Sequence, residues 1–428
     1  MSLKPYPEMK PSHIEWFGDI PVDWTISRLR FITECCDGQR VPLNSAQRAD
    51  VPGDVPYWGA NAIMDFVREH IFDEELVLLG EDGAPFFDKL RPVAFYSTGR
   101  VWPNNHIHVL RISKKVIPSF LVHVLNITEY SHFIDGSTRD KLTQGAMSQI
   151  PVPLPPLFEQ RAITAFLDRE TAKIDALVAE QERLIALLAE KRRAIISHAV
   201  TKGLDPDAPM KDSGIEWLGE VPAHWELARL GAQFREVRDE GAEGLPILSV
   251  SIHDGVSDRE LGDDDSDRKV TRSDDVSKYR RVEPGDLVYN MMRAWQGGFG
   301  AVTVSGMVSP AYVICRPTKS ILTNFVEQLL RTPRAVEEMR RNSKGITDFR
   351  LRLYWDEFKN IKVAMPPEHE QQSIMGFVTE EVTKFATLAA EAERAIDLLK
   401  ERRAALISAA VTGKIDVREA VDAEEAAA

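Results

Sequence analysis

The sequence predicts an α+β fold made twice over. Two mixed α+β globular segments, each followed by a long helix, are related by an internal pseudo-twofold repeat. Three observations predict it. The block Ser12-His13-Ile14-Glu15-Trp16, closing at Pro21 and Trp24, returns 201 residues later as Ser213-Gly214-Ile215-Glu216-Trp217, closing at Pro222 and Trp225. Pro155-Pro156-Leu157-Phe158-Glu159-Gln160 returns after 211 residues as Pro366-Pro367-Glu368-His369-Glu370-Gln371. Each Pro-Pro then opens a run with apolar residues at spacings of three and four, the signature of a helix in a coiled coil.

Taken in order, these features divide the chain at 1–150 (first frame segment and a variable stretch), 151–203 (first long helix), 204–361 (second frame segment and variable stretch), 362–413 (second long helix) and 414–428 (an acidic, Ala-rich tail expected to be disordered). In the variable stretches, Leu76 to Leu79, His106 to Ile112, Asp286 to Tyr289 and Tyr312 to Cys315 read as strands. Ser119 to Ser131 and Thr323 to Arg341 carry helical spacing, while Val51-Pro52-Gly53-Asp54 and Glu283-Pro284-Gly285-Asp286 read as turns. The recurring Trp16, Trp24, Trp217 and Trp225 belong to the frame and read as packing residues.

The first heptad seam runs Ile163, Leu167, Glu170, Ile174, Leu177, Gln181, Leu184, Leu188, Lys191, Ile195. Its copy runs Ile374, Val378, Glu381, Phe385, Leu388, Ala392, Ala395, Leu399, Arg402, Leu406. An acid (Glu170, Glu381) and a base (Lys191, Arg402) recur at equal positions. Like charges would meet in a parallel pair and opposite charges in an antiparallel one, so an antiparallel coiled coil is expected. Forty helical residues at ~1.5 Å each make a spacer about 60 Å long.

Composition narrows the function. A chain with 43% hydrophobic and 28% charged residues is globular. No apolar run approaches the ~18–20 residues of a membrane span, and Met1 to Lys10 lack a signal-peptide core, so a cytoplasmic location without a membrane partner is expected. Cys35, Cys36 and Cys315 form no metal pattern and read as reduced thiols. The net charge of −13 argues against nucleic acid if taken as a whole. It is concentrated in runs such as Asp263-Asp264-Asp265, however, and basic clusters such as Arg340-Arg341-Asn342-Ser343-Lys344 remain. Because charges act within ~8 Å at physiological salt, such patches can still grip phosphate. There is no GxxxxGK[ST], HExxH or GxSxG, and Gly297-Gly298-Phe299-Gly300 lacks dinucleotide-loop spacing. His106 and His108 are not read as a metal pair. No catalysis, cofactor or metal of the chain's own is expected.

The combination resembles the specificity (S) subunit of type I restriction–modification enzymes. The resemblance rests on the two Ile-Glu-Trp…Pro-x-x-Trp blocks and the two Pro-Pro-x-x-Glu-Gln helix openings. It is extended by the helix ends Ser197 to Thr201 and Ser408 to Thr412, and by Leu79 to Ala84, Val101 to Leu110 and Gly285 to Val288. It covers nearly the whole chain. It implies that each variable stretch is a target recognition domain reading one half of a bipartite double-stranded DNA target. The helix pair would set the spacing and dock two methyltransferase (M) subunits. Restriction/translocase (R) subunits would join through the complex. S-adenosylmethionine, ATP and Mg would sit on those partners only.

On that reading, DNA contacts come from Arg, Lys, Asn, Gln, Thr and aromatic residues in loops. The first domain offers Arg100, Asn104, Asn105 and His106, and then Ser137, Thr138, Arg139 and Lys141 in a Gly136-led loop. The second offers Tyr289, Asn290, Arg293, Trp295 and Gln296 after its central strand. It adds Arg340, Arg341, Lys344, Thr347, Arg350 and Arg352 around a loop answering that of the first. Lys191, Arg192 and Arg193 read as partner-facing or coil-pairing rather than DNA-binding. Two other classes compete. One is a two-headed protein-binding adaptor on a coiled-coil rod; the other, weaker, is a self-contained nuclease or methyltransferase. Salt-sensitive binding separates a phosphate binder from an adaptor.

Overall fold

The computed structural model describes residues 4–134, 140–252, 255–257, 278–345 and 351–418. The chain forms two compact units: Met1–Arg183 with Ala392–Ala428, and Leu184–Glu391. Each long helix, Leu157–Lys202 and Glu368–Val411, therefore contributes to both.

Both units are built on the same sheet. In the first, four antiparallel strands lie in the order Thr33–Cys35, Ile107–Ile112, Leu76–Gly80, Ala94–Ser97. In the second the order is Phe234–Val237, Tyr312–Pro317, Leu287–Asn290, Phe299–Ala301. The central strands are the apolar runs of the sequence, buried on both faces. A helix covers each sheet, Pro118–Asn126 in one and Thr323–Leu330 in the other. The helical run expected from Thr323 to Arg341 is broken in two, because Thr332 caps a new helix, Pro333–Asn342, whose first residue has no N–H to continue the old one. The turn expected at Val51 to Asp54 is instead the irregular start of strand Pro52–Trp58. That at Glu283 to Asp286 forms, with Gly285 at φ 93°.

The frame blocks hold the helix ends. In the first unit, Trp24 is fully buried, and Gly413, just past the second long helix, lies so close that an added Cβ would meet Pro21 at 2.3 Å. In the second unit, Gly203 past the first long helix packs near Trp225 and Pro222. Both glycines have positive φ, the left-handed geometry that ends a helix. Ile163, Phe166 and Leu167 share the first unit's core with Ile407, Ala410 and Val411, and Ala199 and Val200 share the second's with Ile374 and Val378. In each unit the start of one long helix thus meets the end of the other.

The seam departs from the heptad reading in its middle. Ile163, Leu167, Ile174, Phe385 and Ala392 are buried, but Leu177, Leu184 and Leu388 are exposed, and Ile396 and Ile407 are buried in place of Ala395 and Leu406. The seam acids also find nearer partners. Glu170 binds Lys173 at 2.9 Å and Glu381 binds Lys384 at 2.9 Å, both within their own helices, while the two helices are joined in the first unit by Arg403 and Asp175 at 2.9 Å. The Val421 to Ala428 tail lies outside the described residues. Among the described residues no helix is long and apolar enough to cross a membrane.

Candidate nucleic-acid interface

At the same place in each unit, the segment that leads to the closing Pro-Pro strand bonds to the segment after the central strand. The Leu142 N–H donates to the Glu81 carbonyl at 2.7 Å, and 211 residues on, the Leu353 N–H donates to the Met291 carbonyl at 2.9 Å. Several of the described sequence candidates lie next to these two crossings, Lys141 in one and Arg293 and Arg352 in the other.

In the first unit the crossing carries an ion network. Glu81 binds Arg40 at 2.6 Å and Lys141 at 3.0 Å. His108 is almost fully buried, with Nδ1 2.6 Å from Asp37 and Nε2 2.8 Å from the Leu142 carbonyl. His106, half exposed, binds Asp82 through Nδ1. Burial alone would raise the Asp37 carboxyl. The hydrogen bond and charge of His108, the Val109 N–H and Arg40 outweigh it and hold Asp37 below the ordinary carboxylate range. Glu81 is likewise held down, by Arg40 and Lys141 against its burial. Asp37, Glu81 and His108 offer ligand atoms within 4.8 Å of one another. Two cations already neutralise those carboxylates and both imidazole nitrogens are engaged, so the arrangement is an ion-pair network that ties Lys141 to the sheet. Sequence reasoning missed it because Asp37 and His108 are 71 residues apart. The one local signal was the Glu81-Asp82 pair after the central strand.

Of the first-unit candidates, Asn105 is exposed and Lys141 half exposed. Arg100 is exposed but pairs with Asp54 at 3.1 Å. Asn104 must be corrected: it is 4% exposed and caps the turn by accepting the His106 N–H at 2.7 Å, so it cannot reach a base. Ser137, Thr138 and Arg139 lie outside the described residues.

In the second unit the strand Leu287–Asn290 runs into a tight turn whose short helix, Ala294–Gln296, packs against Pro333–Asn342. This brings Arg293 and Gln296 (3.5 Å apart), Trp295, Arg340, Arg341, Lys344 and Arg352 around one crossing. Arg341 pairs with Glu216 at 3.3 Å and Lys344 with Glu357, whereas Arg352 is exposed with no ion pair among the described residues. The Trp295 indole donates to the Met292 carbonyl at 2.9 Å and braces the turn. Two candidates must be corrected. Tyr289 is fully buried against Phe299 and Phe358, and Asn290, 9% exposed, accepts the Met292 N–H at 2.9 Å. Both point inward because alternate residues of this central strand face two covered sides. Thr347 and Arg350 lie outside the described residues.

The Pro-Pro motifs are structural. Gln160 accepts the Ile117 N–H at 2.9 Å and donates to the Pro155 carbonyl at 2.9 Å, while Gln371 accepts the Leu322 N–H at 2.9 Å and donates to the Pro366 carbonyl at 2.8 Å. Glu370 accepts from the Trp225 indole at 3.0 Å, and Glu159 from the Tyr6 hydroxyl.

Comparison with known proteins fits this architecture. Residues 21–185 match the family description of the type I restriction modification DNA specificity domain. A type I restriction enzyme specificity subunit of Haemophilus influenzae is 36% identical over 151 residues, 35% of this chain and 38% of the relative. The EcoKI specificity subunit of Escherichia coli is 23% identical over 331 residues, 72% of this chain and 68% of the relative. A solved chain described under the assembly and conformational transition of the type I R-M system shares the fold. It has a TM-score of 0.61 and 15% identity over 92% of this chain and 99% of that one. The matched stretch lies almost entirely in the first unit, and the relatives that this chain is similar to are specificity subunits of type I restriction enzymes.

Proposed function

We propose that this chain is the non-catalytic DNA sequence-specificity subunit of a type I restriction–modification complex, each unit reading one half of a bipartite duplex target. One observation carries the reading. The two units repeat a sheet order and a backbone crossing but dress that crossing differently, with Asn105, His106 and Lys141 in one and Arg293, Gln296, Lys344 and Arg352 in the other. One scaffold with two unlike polar surfaces suits a reader of two unlike half-sites.

The long helices link the two readers and set the gap between half-sites as an antiparallel pair. Their exposed Leu177, Leu184, Leu187, Leu388 and Leu398 supply the apolar surface on which two methyltransferase subunits dock. The chain needs no cofactor itself; S-adenosylmethionine, ATP and Mg act on the methyltransferase and translocase partners. Methylation mapping of host DNA with and without the gene tests the proposal. Loss of one bipartite methylated sequence is expected. An unchanged methylation map, together with salt-insensitive binding of the purified complex, supports the two-headed adaptor instead.

A further inference from the structure

A cavity of about 530 Å³ opens in the second unit between the last turns of the first long helix and the start of the helix Pro333–Asn342. Arg192, Arg193, Ser197, Gln328, Arg331 and Thr332 stand in its wall, and no acidic side chain lines it among the described residues. Arg331 is fixed in place: it donates to Glu327 at 2.9 Å and to the Ile252 carbonyl at 2.9 Å. The second oxygen of Glu327 accepts the Ala301 N–H at 3.0 Å, so that carboxylate is engaged in holding the wall. Thr332 and Pro333 bring the positive end of a ten-residue helix to the same space.

The internal repeat shows that this charge is particular to one copy. Arg403 answers Arg192 at an offset of 211 residues, and in the first unit Asp175 neutralises it at 2.9 Å. The residue answering Asp175 is Ala386, and Arg192 has no ion pair or hydrogen bond among the described residues. Arg193 is answered by Ala404. Counted from Ile117 and Leu322, whose N–H groups bind the two motif glutamines, Arg331 is answered by Asn126. The Asn126 amide is occupied by the Val93 and Ala94 N–H groups at 2.8 and 2.9 Å. Arg192 and Arg193 thus stand beside the Glu327-paired Arg331 in the second unit, where the first has a neutralised arginine, an alanine and an asparagine.

We propose that this cavity is an anion site that grips the phosphodiester backbone of duplex DNA beyond the bases read by the second unit, an inference that rests on the DNA-reading function proposed above. Guanidinium groups pair bidentately with phosphate oxygens, and Ser197 and Gln328 add neutral donors, while the Thr332 hydroxyl is given to the Leu329 carbonyl at 2.8 Å and holds the wall. The candidate contacts Arg340 and Arg341 lie at the other end of the same ten-residue helix, about 15 Å away at ~1.5 Å per residue. That is about four base-pair steps, so one strand can meet both ends. Asymmetry speaks against methyltransferase docking, since two identical subunits would require matching surfaces on the two copies, and only one copy carries the trio.

The test uses the full chain copurified with its methyltransferase partner and a fluorescent mixed-sequence duplex about four helical turns long. Affinity is measured across a salt series for the wild type, the double variant Arg192→Gln/Arg193→Gln, and Arg403→Gln. The double variant is expected to bind more weakly, with a log–log salt slope shallower by about 2 and base preference unchanged. Arg403→Gln keeps the wild-type slope. A wild-type slope in the double variant overturns the proposal. If that outcome comes with loss of copurifying methyltransferase, the surface is a protein-docking face. A wild-type complex without salt-dependent binding removes the DNA-reading function itself, and this site with it.

Discussion

The side-chain carbonyl of Gln160 accepts the Ile117 N–H at 2.9 Å and so fastens the first turn of the long helix to the loop that precedes the sheet-covering helix. Gln160 is fully buried. Gln160→Leu leaves the Ile117 N–H and the Pro155 carbonyl without partners and is expected to cost roughly 2–5 kcal/mol. Amide exchange at Ile117 should accelerate while that at Leu322, held by Gln371, stays slow. Equal acceleration at both would show that the two clasps are not independent.

His123 gives the first unit a pH response. Burial and the charge of Arg403 hold its pKa down at about 4. An unfolded histidine protonates near pH ~6.5. Between those values the unfolded chain binds the extra proton, so stability is complete above pH ~6.5 and falls as the pH drops toward 4, by no more than about 3 kcal/mol. Asp37 and Glu81, with depressed pKa values, stabilise above the ordinary carboxylate range and add their loss only at lower pH. Denaturant melts from pH 7 to 4.5 should show the decline in the wild type and a much flatter profile in His123→Leu. An equal decline in both would assign the effect to other groups.

Tyr289 and Arg352 should separate core from interface. The Tyr289 hydroxyl is buried without a hydrogen-bond partner among the described residues, so Tyr289→Phe should leave DNA affinity unchanged and alter stability by no more than ~1 kcal/mol, in the stabilising direction. Arg352→Gln should instead make the salt slope shallower by about 1. A titration of each variant against salt distinguishes them, and weakened binding in Tyr289→Phe would place that hydroxyl at the interface after all.

The frame and the central strands were legible in the sequence because each is local. An apolar run such as Leu76 to Leu79 can only be a buried element, and the repeat of Ile-Glu-Trp needs no structure to be seen. The heptads were legible as stripes but not as contacts: spacing places Leu177 and Leu184 in line with Ile174 without saying whether anything covers them. Asn104 and Tyr289 were misassigned because polarity hints at contact with a ligand, while whether Asn104 turns inward depends on a capping bond only the fold reveals. The ion network of Asp37, Arg40, Glu81, His108 and Lys141 was invisible, since pairing across the sheet assembles it from four separate segments.

Helix length should set the gap between half-sites. Seven residues inserted at matching points of both long helices add about 10 Å, close to three base-pair steps. Methylation mapping should return the same two half-sites with a wider gap. An unchanged gap in a folded, active complex would rule out the helices as the spacer.

The most direct test of two independent readers is to replace residues 30–149 with the corresponding stretch of another family member and map the methylated sequence. The account predicts that one half-site changes to that of the donor while the other half-site and the gap persist. A change in both half-sites, or in neither, would contradict it.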